Sequence, residues 1–373
     1  MKTEVVKINA LDLDVSQINR AAAVVDAGGL VVFPTETVYG IACSVARKPL
    51  DRLNQVKQRP DNKRYTLHIG QPGQLSRYIP QVDLRAQKII GEMWPGPLTL
   101  VFELSDSDLH IQKNGLSDEI IQALYHEGTL GVRCPDHPVA RALLSNVNKP
   151  VVAPSANRSD HLAPTTAEEA LSQLDGQVDL VLDTGPCETG ISSTVARLSQ
   201  PIKILRSGAV SIEQLTETAR IKLLFVCTGN TCRSAMAEGI CKEILAKRSP
   251  SKTVDGPDIL GYTVRSAGTM GGAGAPASTG AMTACLHKGI DLSPHRSSAV
   301  SVALVEDVDV IFAMERFHRE MILTLFPDAR DKCMLLDPHG DIPDPIGQPL
   351  AVFRKCAERI EEAIKTRLSE FAI

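Results

Sequence analysis

The chain has 373 residues, 43% of them apolar and 23% charged, a globular balance too hydrophobic for a disordered tail. Lysine and arginine number 40 against 44 acidic residues; the net charge of −4 excludes a bulk cationic nucleic-acid binder but not a local basic groove. No apolar run approaches a membrane span, and Glu4, Asp12 and Asp14 interrupt the N-terminal stretch where a signal peptide needs apolar residues.

Nine cysteines lie between Cys43 and Cys356, with no CxxC pair and no His/Cys cluster of zinc-site spacing. They read as reduced thiols, mostly small buried hydrophobes, in a cytoplasmic protein without a metal site. The length predicts two domains.

Along the first half, Ile18, Ala22 and Val25 share one face of a helix that Gly28-Gly29 ends. Leu30-Val31-Val32-Phe33 reads as a buried strand halted by Pro34. Asp136 is placed to cap a helix with Val139, Ala142 and Leu143, and Thr166 with Glu169 forms a capping box. Gly131-Val132-Arg133 and Val151-Val152-Ala153 are strand-like, so the half predicts an α/β domain. Ser211 to Arg220 is polar and holds no core pattern, which predicts the boundary. The second domain then opens with a strand over Ile221 to Val226 and a helix from Ala235. A loop over Gly271 to Gly280 and a strand over Val308 to Ala313 follow. A last helix puts Phe353, Cys356, Ile360, Ile364 and Leu368 on one face. Strand, loop and helix in repetition predict a doubly wound parallel sheet with helices on both sides.

The strongest local signal is Cys227-Thr228-Gly229-Asn230-Thr231-Cys232-Arg233-Ser234, between a predicted strand and a predicted helix. In that context backbone N–H groups and a helix N-terminus make an anion cradle, and a cysteine at its mouth is poised as a thiolate nucleophile. Arg233 has the planar fork that holds two phosphate oxygens, and Ser234 is placed to donate to the thiolate. Phosphoryl transfer to cysteine also needs a proton donor for the leaving group; Asp344, on the proline-stiffened Asp341-Ile342-Pro343-Asp344-Pro345, is the candidate.

From Ile221 onward, residues 221–373, the chain resembles the low-molecular-weight protein tyrosine phosphatase family. The resemblance rests on CTGNTCRSAMAE (227–238), Arg265-Ser266-Ala267-Gly268 and DPIG (344–347). It implies a cysteinyl-phosphate intermediate, with Cys227 as nucleophile, Arg233 as phosphate ligand and Asp344 as general acid. Asn230 and Ser266 would hold the loop's strained shape, and Cys232 matches a neighbouring cysteine able to form a protective disulfide with the nucleophile. Ala235 stands where the family usually has proline. Phosphotyrosine-specific members usually carry an aliphatic residue at the position of Thr231 and two aromatics after Asp-Pro. The family's protein-arginine phosphatases carry threonine, and here Ile346-Gly347 follows Pro345, so phosphoarginine is preferred over phosphotyrosine as the expected substrate.

The first half's motifs are individually weaker. Pro34-Thr35-Glu36-Thr37-Val38-Tyr39-Gly40 places hydroxyls and a carboxylate just after a buried strand. Arg52, Lys57, Arg59, Lys63 and Arg64 form a cluster suited to a polyphosphate or an RNA backbone, or to a solvated helix end. His68 sits among apolar neighbours, and Met93-Trp94-Pro95-Gly96-Pro97 reads as a structural turn. In order, PTETVYG, KQRP, LHI, WPGPLTL, GVRCPDHP, APSAN, SSTVA and LRSGAV resemble the YrdC-like threonylcarbamoyl-AMP synthase family over residues 8–212.

That resemblance implies synthesis of threonylcarbamoyl-AMP from ATP, L-threonine and bicarbonate for tRNA modification. Magnesium would shield the triphosphate, and no cofactor would be tightly bound. Thr37, His68, Arg133, Ala153 and Ser193 would surround threonine; Lys57, Arg59, Thr129, Ser155, Asn157 and Arg206 would face ATP. Double-stranded RNA and tRNA-modification proteins are implied partners, with a phosphoprotein for the second domain and no membrane. The chain departs from the family at Gln58, where glycine is usual, at Arg64-Tyr65, Ser159-Asp160, Ala163 and Ser192. The expected function is a bifunctional enzyme. The alternatives are a phosphatase joined to a non-catalytic RNA-binding module, and a synthase joined to a phosphate-sensing module.

Overall fold

A computed structural model of the chain describes residues 2–58, 64–199, 201–248, 258–259 and 261–371. The chain divides into two compact units, one running to residue 218 apart from 83–85, the other from 219 onward.

The first unit is built on a ten-stranded sheet: β1 (Glu4–Lys7), β2 (Val31–Phe33), β3 (Gly40–Ser44), β4 (Thr66–His68), β5 (Leu98–Glu103), β6 (Thr129–Arg133), β7 (Val151–Val152), β8 (Leu180–Asp183), β9 (Thr194–Arg197) and β10 (Lys203–Arg206). Their spatial order is β1-β8-β2-β3-β7-β4-β6-β5-β9-β10. Parallel pairs such as β4–β6 and β5–β9 mix with antiparallel ones such as β2–β3 and β5–β6. Ile18, Ala21 and Val25 of the helix Val15–Asp26 and Val139 and Leu143 of Pro138–Asn146 bury against Val31, Phe33 and Ala42 in one cluster. Register sets the site: Val195, Thr99, Arg133, His68 and Val151 lie directly opposite one another in a row across five strands.

Several local expectations are corrected. β1 pairs with β8 ahead of residue 8, so the sheet begins earlier than the motifs did. The cap before Val139 is His137, whose Nδ1 accepts the Val139 N–H, and the Asp136 backbone N–H donates to Glu36. Thr166 caps its helix, but the Glu169 carboxylate accepts from the Thr165 N–H and so does not close the box. The polar segment Ser211 to Arg220 holds the helix Ile212–Thr218, in which Leu215 is buried, and Ala219 is buried after it. Arg52 does not join the basic cluster, since Asp179 holds it at 2.6 Å.

The second unit has five strands, β11 (Ile221–Cys227), β12 (Asp258–Ile259), β13 (Tyr262–Gly268), β14 (Val310–Ala313) and β15 (Cys333–Leu335), ordered β12-β13-β11-β14-β15. All neighbours are parallel except the edge pair β12–β13. Strand alternation explains the layers. Ile221, Leu223 and Phe225 bury against the helices Arg233–Arg248, Thr279–Leu286 and Leu350–Glu370; Leu224 and Val226 bury against Val305 and Ile322 on the other face. The parallel, two-sided sheet matches the expected architecture. The first helix starts at Arg233 rather than Ala235, and β14 starts at Val310 rather than Val308. All nine cysteines are free, and eight are buried. No helix among the described residues is long and apolar enough to cross a membrane.

Candidate functional sites

In the first unit, the row across the sheet opens into a cavity of about 270 Å³. His68, Arg133, Ala153, Ser193, Lys57, Ser155, Asn157 and Arg206 all line it. Arg133 is buried at the end of β6, where its Nη2 donates to Glu36 (2.8 Å) and to Thr37 Oγ1 (2.7 Å). Its Nε has no partner. A guanidinium fixed on one edge with a donor unspent is suited to an anion. Thr37 is therefore not a wall of the cavity; it stands behind Arg133 and orients it.

Arg206 reaches from β10 to the Ser193 carbonyl (2.7 Å) and hydroxyl (3.0 Å), and Ser193 Oγ lies 3.1 Å from Thr99. Gly208 makes this possible: a Cβ there would stand 2.3 Å from the Ser192 carbonyl, so only glycine lets the LRSGAV segment close on SSTVA. Burial, then the nearby Arg133, lower the pKa of Arg206. The same two causes, burial first, push His68 down to about 3, so its ring is neutral at physiological pH. Lys57 donates to the carbonyls of Ser155 and Asn157, pinning the loop that follows β7.

Thr129 lies at the far end of β6 from Arg133, outside the cavity, with its hydroxyl on the His126 carbonyl. Arg59 lies outside the described residues, as do Pro60 and Lys63. Gln58 ends the helix Arg47–Lys57 at φ 51°, the left-handed conformation glycine adopts most cheaply. The family's glycine thus marks a backbone shape that this chain keeps with another residue. Arg64 of the expected basic cluster lines the cavity too, and so do Thr66 and Thr99, which pairing across strands brings there.

In the second unit, β11 delivers Cys227 to the loop preceding the helix Arg233–Arg248. Cys227 Sγ lies 2.9 Å from Ser234 Oγ and accepts the Asn230 N–H at 3.3 Å. Asn230 holds φ 55° and is tied down on all sides. Its Nδ2 donates to Ser234 (2.9 Å) and Ser266 (2.8 Å), its Oδ1 accepts the Ser298 N–H, and its carbonyl meets His295 Nε2 at 2.7 Å. Gly268 is the floor: a Cβ there would fall 2.6 Å from the Thr228 carbonyl, which accounts for glycine in Arg-Ser-Ala-Gly.

Arg233 is 1% exposed and bridges two carboxylates, Glu315 (3.0 Å) and Asp344 (2.6 Å), and donates to the Ile342 carbonyl (2.9 Å). Its Nε has no partner. Asp344 stands half-exposed above it. Thr231 is partly exposed on the loop, and Cys232 donates to Ser278 Oγ at 3.1 Å. Sequence reading missed Glu315, His318 and Ser298, which lie outside any contiguous motif and reach the loop only through the fold.

The first unit is an α/β domain around a cationic cavity and the second a parallel-sheet domain around a cysteine-containing phosphate cradle. The family model described as telomere recombination (Sua5/YciO/YrdC) matches residues 23–208, and that described as low molecular weight phosphotyrosine protein phosphatase matches residues 222–372. A threonylcarbamoyl-AMP synthase of Pyrococcus abyssi (strain GE5 / Orsay) is 30% identical over 244 residues, covering 65% of this chain and 68% of that protein. A protein-arginine-phosphatase of Geobacillus stearothermophilus is 35% identical over 154 residues, 40% of this chain and 94% of that protein. The crystal structure of P. abyssi Sua5 complexed with L-threonine has a TM-score of 0.50 at 20% identity, covering 97% of this chain and 98% of that one, a likeness of fold. The chain spans about half the length of other curated synthases it matches. The chain belongs to the Sua5/YciO/YrdC family in its first half and to the low-molecular-weight phosphotyrosine protein phosphatase family in its second.

Proposed function

We propose that the chain is a bifunctional enzyme, a threonylcarbamoyl-AMP synthase joined to a cysteine-dependent protein phosphatase. The observation that carries both readings is a buried arginine with an unspent Nε in each unit, Arg133 in the first and Arg233 in the second. Each suits an anionic substrate group, a carboxylate in one case and a phosphate in the other.

In the synthase reading, Arg133 pairs with the threonine carboxylate, and neutral His68 and Ser193 meet its polar groups. The threonine amine and bicarbonate give a carbamate and water; a carbamate oxygen then attacks the α-phosphate of ATP, and pyrophosphate leaves. Lys57 and Arg206 stabilise the charge growing on the phosphates, with Arg59 expected to assist. Asp160 is the carboxylate among the described lining residues, so magnesium would arrive with the triphosphate, which supplies most of its ligands.

In the phosphatase reading, Cys227 thiolate attacks phosphorus, the bond to the leaving group breaks, and Asp344 supplies the leaving group's proton. Ser234 stabilises the thiolate. Water then cleaves the S–P bond and gives its proton to Asp344. Substrate phosphate would take the place of Asp344 on Arg233, freeing that carboxyl to act as the acid. Thr231, Ile346 and the likeness to arginine phosphatases favour phosphoarginine over phosphotyrosine.

The test of the synthase is pyrophosphate release in ATP, bicarbonate and L-threonine. Release that depends on all three supports it, and its absence leaves an RNA-binding module as the reading of the first unit. The test of the phosphatase compares kcat/KM on phosphoarginine and phosphotyrosine peptides in the wild type and Thr231→Ile. A wild type that prefers phosphotyrosine, unmoved by the substitution, overturns the arginine assignment.

A further inference from the structure

Thr228 follows the nucleophile, and its Oγ1 lies 2.8 Å from Nε2 of His318. His318 belongs to the helix Arg316–Leu325 and is completely buried. Its other nitrogen, Nδ1, lies 3.6 Å from Glu315 Oε2, and that carboxylate is 3.0 Å from Arg233. One imidazole therefore stands between the first residue of the phosphate loop and the acidic partner of the phosphate-holding guanidinium. No reading of the sequence anticipates it, because His318 lies 90 residues from Thr228 along the chain.

The charge state of the ring follows from its surroundings. Burial, then Arg233, lower its pKa, while Glu315, Asp344 and Asp341 pull it the other way; the net direction is down. The neutral ring carries one N–H. With the proton on Nε2, the Nδ1 lone pair would face the Glu315 carboxylate. With the proton on Nδ1, a donor faces that carboxylate and Nε2 is free to accept from the threonine hydroxyl. The second tautomer gives the Thr228 hydroxyl an acceptor and turns a donor, not a lone pair, toward Glu315. At 3.6 Å the Nδ1 contact is longer than a hydrogen bond, and Nδ1 has no other partner. Glu315 thus lies between two cationic or donor groups, Arg233 at 3.0 Å and the His318 Nδ1 edge at 3.6 Å.

We propose that His318 is a positioning residue of the phosphate loop: it accepts from Thr228 Oγ1–H at Nε2 and directs Nδ1–H at Glu315, so that one ring sets both the loop's first turn and the carboxylate that holds Arg233. The proposal rests on the phosphatase reading of the second unit.

The experiment uses the full chain, an aryl phosphate as substrate and orthovanadate as inhibitor. Thr228→Val keeps the side chain's shape and removes the hydroxyl; His318→Asn keeps an amide near Nδ1, and His318→Gln puts one near Nε2. Thr228→Val and His318→Asn are each expected to weaken kcat/KM and vanadate inhibition about tenfold, as for the loss of one oriented hydrogen bond. The double variant is expected to be no worse than the weaker single one, because both remove the same link. His318→Gln, which restores a partner to Thr228, is expected to recover part of the loss. Should the His318 variants fail to fold, Thr228→Val decides alone. Wild-type vanadate inhibition in Thr228→Val, or losses that multiply in the double variant, would overturn the proposal. A wild type inert toward every phosphate ester overturns the phosphatase reading and this proposal with it; an active wild type with indifferent variants overturns this proposal alone.

Discussion

The two units assemble their candidate anion sites by opposite constructions. In the second, eight consecutive residues, Cys227 to Ser234, supply the cysteine, the loop donors and the arginine, and the fold adds Asp344 and a few braces. In the first, the groups come from β4, β6, β10, the end of the helix Arg47–Lys57 and the loops after β2 and β7 and before β9, and strand register together with these flanking segments brings them together. A compact loop concentrates its chemistry in single residues, so one substitution can end it. A dispersed cavity shares its charge among Lys57, Arg133 and Arg206, so it should fail by degrees.

Substitutions on both sides sharpen this contrast. The largest effect is expected from Cys227→Ser, which should lower phosphatase turnover roughly a thousandfold or more while phosphate and vanadate still bind, since the loop's N–H donors remain. Loss of vanadate binding as well would mean that Cys227 builds the cradle rather than attacking within it. Asp344→Asn should cost on the order of a hundredfold with poor leaving groups and far less with activated aryl phosphates. Equal losses on both substrates would remove Asp344 as the acid. Lys57→Ala should reduce threonylcarbamoyl-AMP formation about a hundredfold through one lost charge-assisted contact and leave phosphatase turnover untouched. Pyrophosphate release at the wild-type rate would take Lys57 out of the site.

The smallest effect concerns stability. His68 is held neutral in the native state, with its pKa at about 3 against an ordinary 6.5. The unfolded chain takes up a proton that the folded one refuses, so the stability due to neutral His68 is complete above pH 6.5 and drains away as pH falls toward 3. His68→Gln should flatten that acid limb. Trp94, the chain's single tryptophan, lies buried in the first unit and reports its urea midpoint selectively. An unchanged slope in the variant would assign the acid sensitivity elsewhere.

How much of this the sequence disclosed follows from the same contrast. Cys227, Arg233, Ser234 and Asn230 could be placed from neighbours in the chain, because a strand, a turn and a helix start dictate where a short loop points. The final helix was equally plain, since Phe353, Cys356, Ile360, Ile364 and Leu368 all fall on its buried stripe. Glu315 and His318 were invisible because their partners are fixed by β11–β14 pairing. In the first unit, the hydrogen bond from Arg133 to the Thr37 hydroxyl joins residues 96 positions apart, a link that no linear pattern encodes. The helix Ile212–Thr218 was missed because one buried leucine is too weak a period to register against polar surroundings.

The pairing of Glu4–Lys7 with Leu180–Asp183 bears on how the first unit is made. The opening strand leaves the ribosome long before its partner exists; at about 5–20 residues per second the interval is roughly 10–35 s. During that time its backbone groups are an unpaired edge, and closing so long a loop must be offset by contacts not yet available. Its exposed, charged ends, Glu4 and Lys7, oppose premature pairing with other chains. The second unit has no such wait: β11 meets β13 within about 40 residues, so its central ladder can zip while synthesis of the chain is still under way.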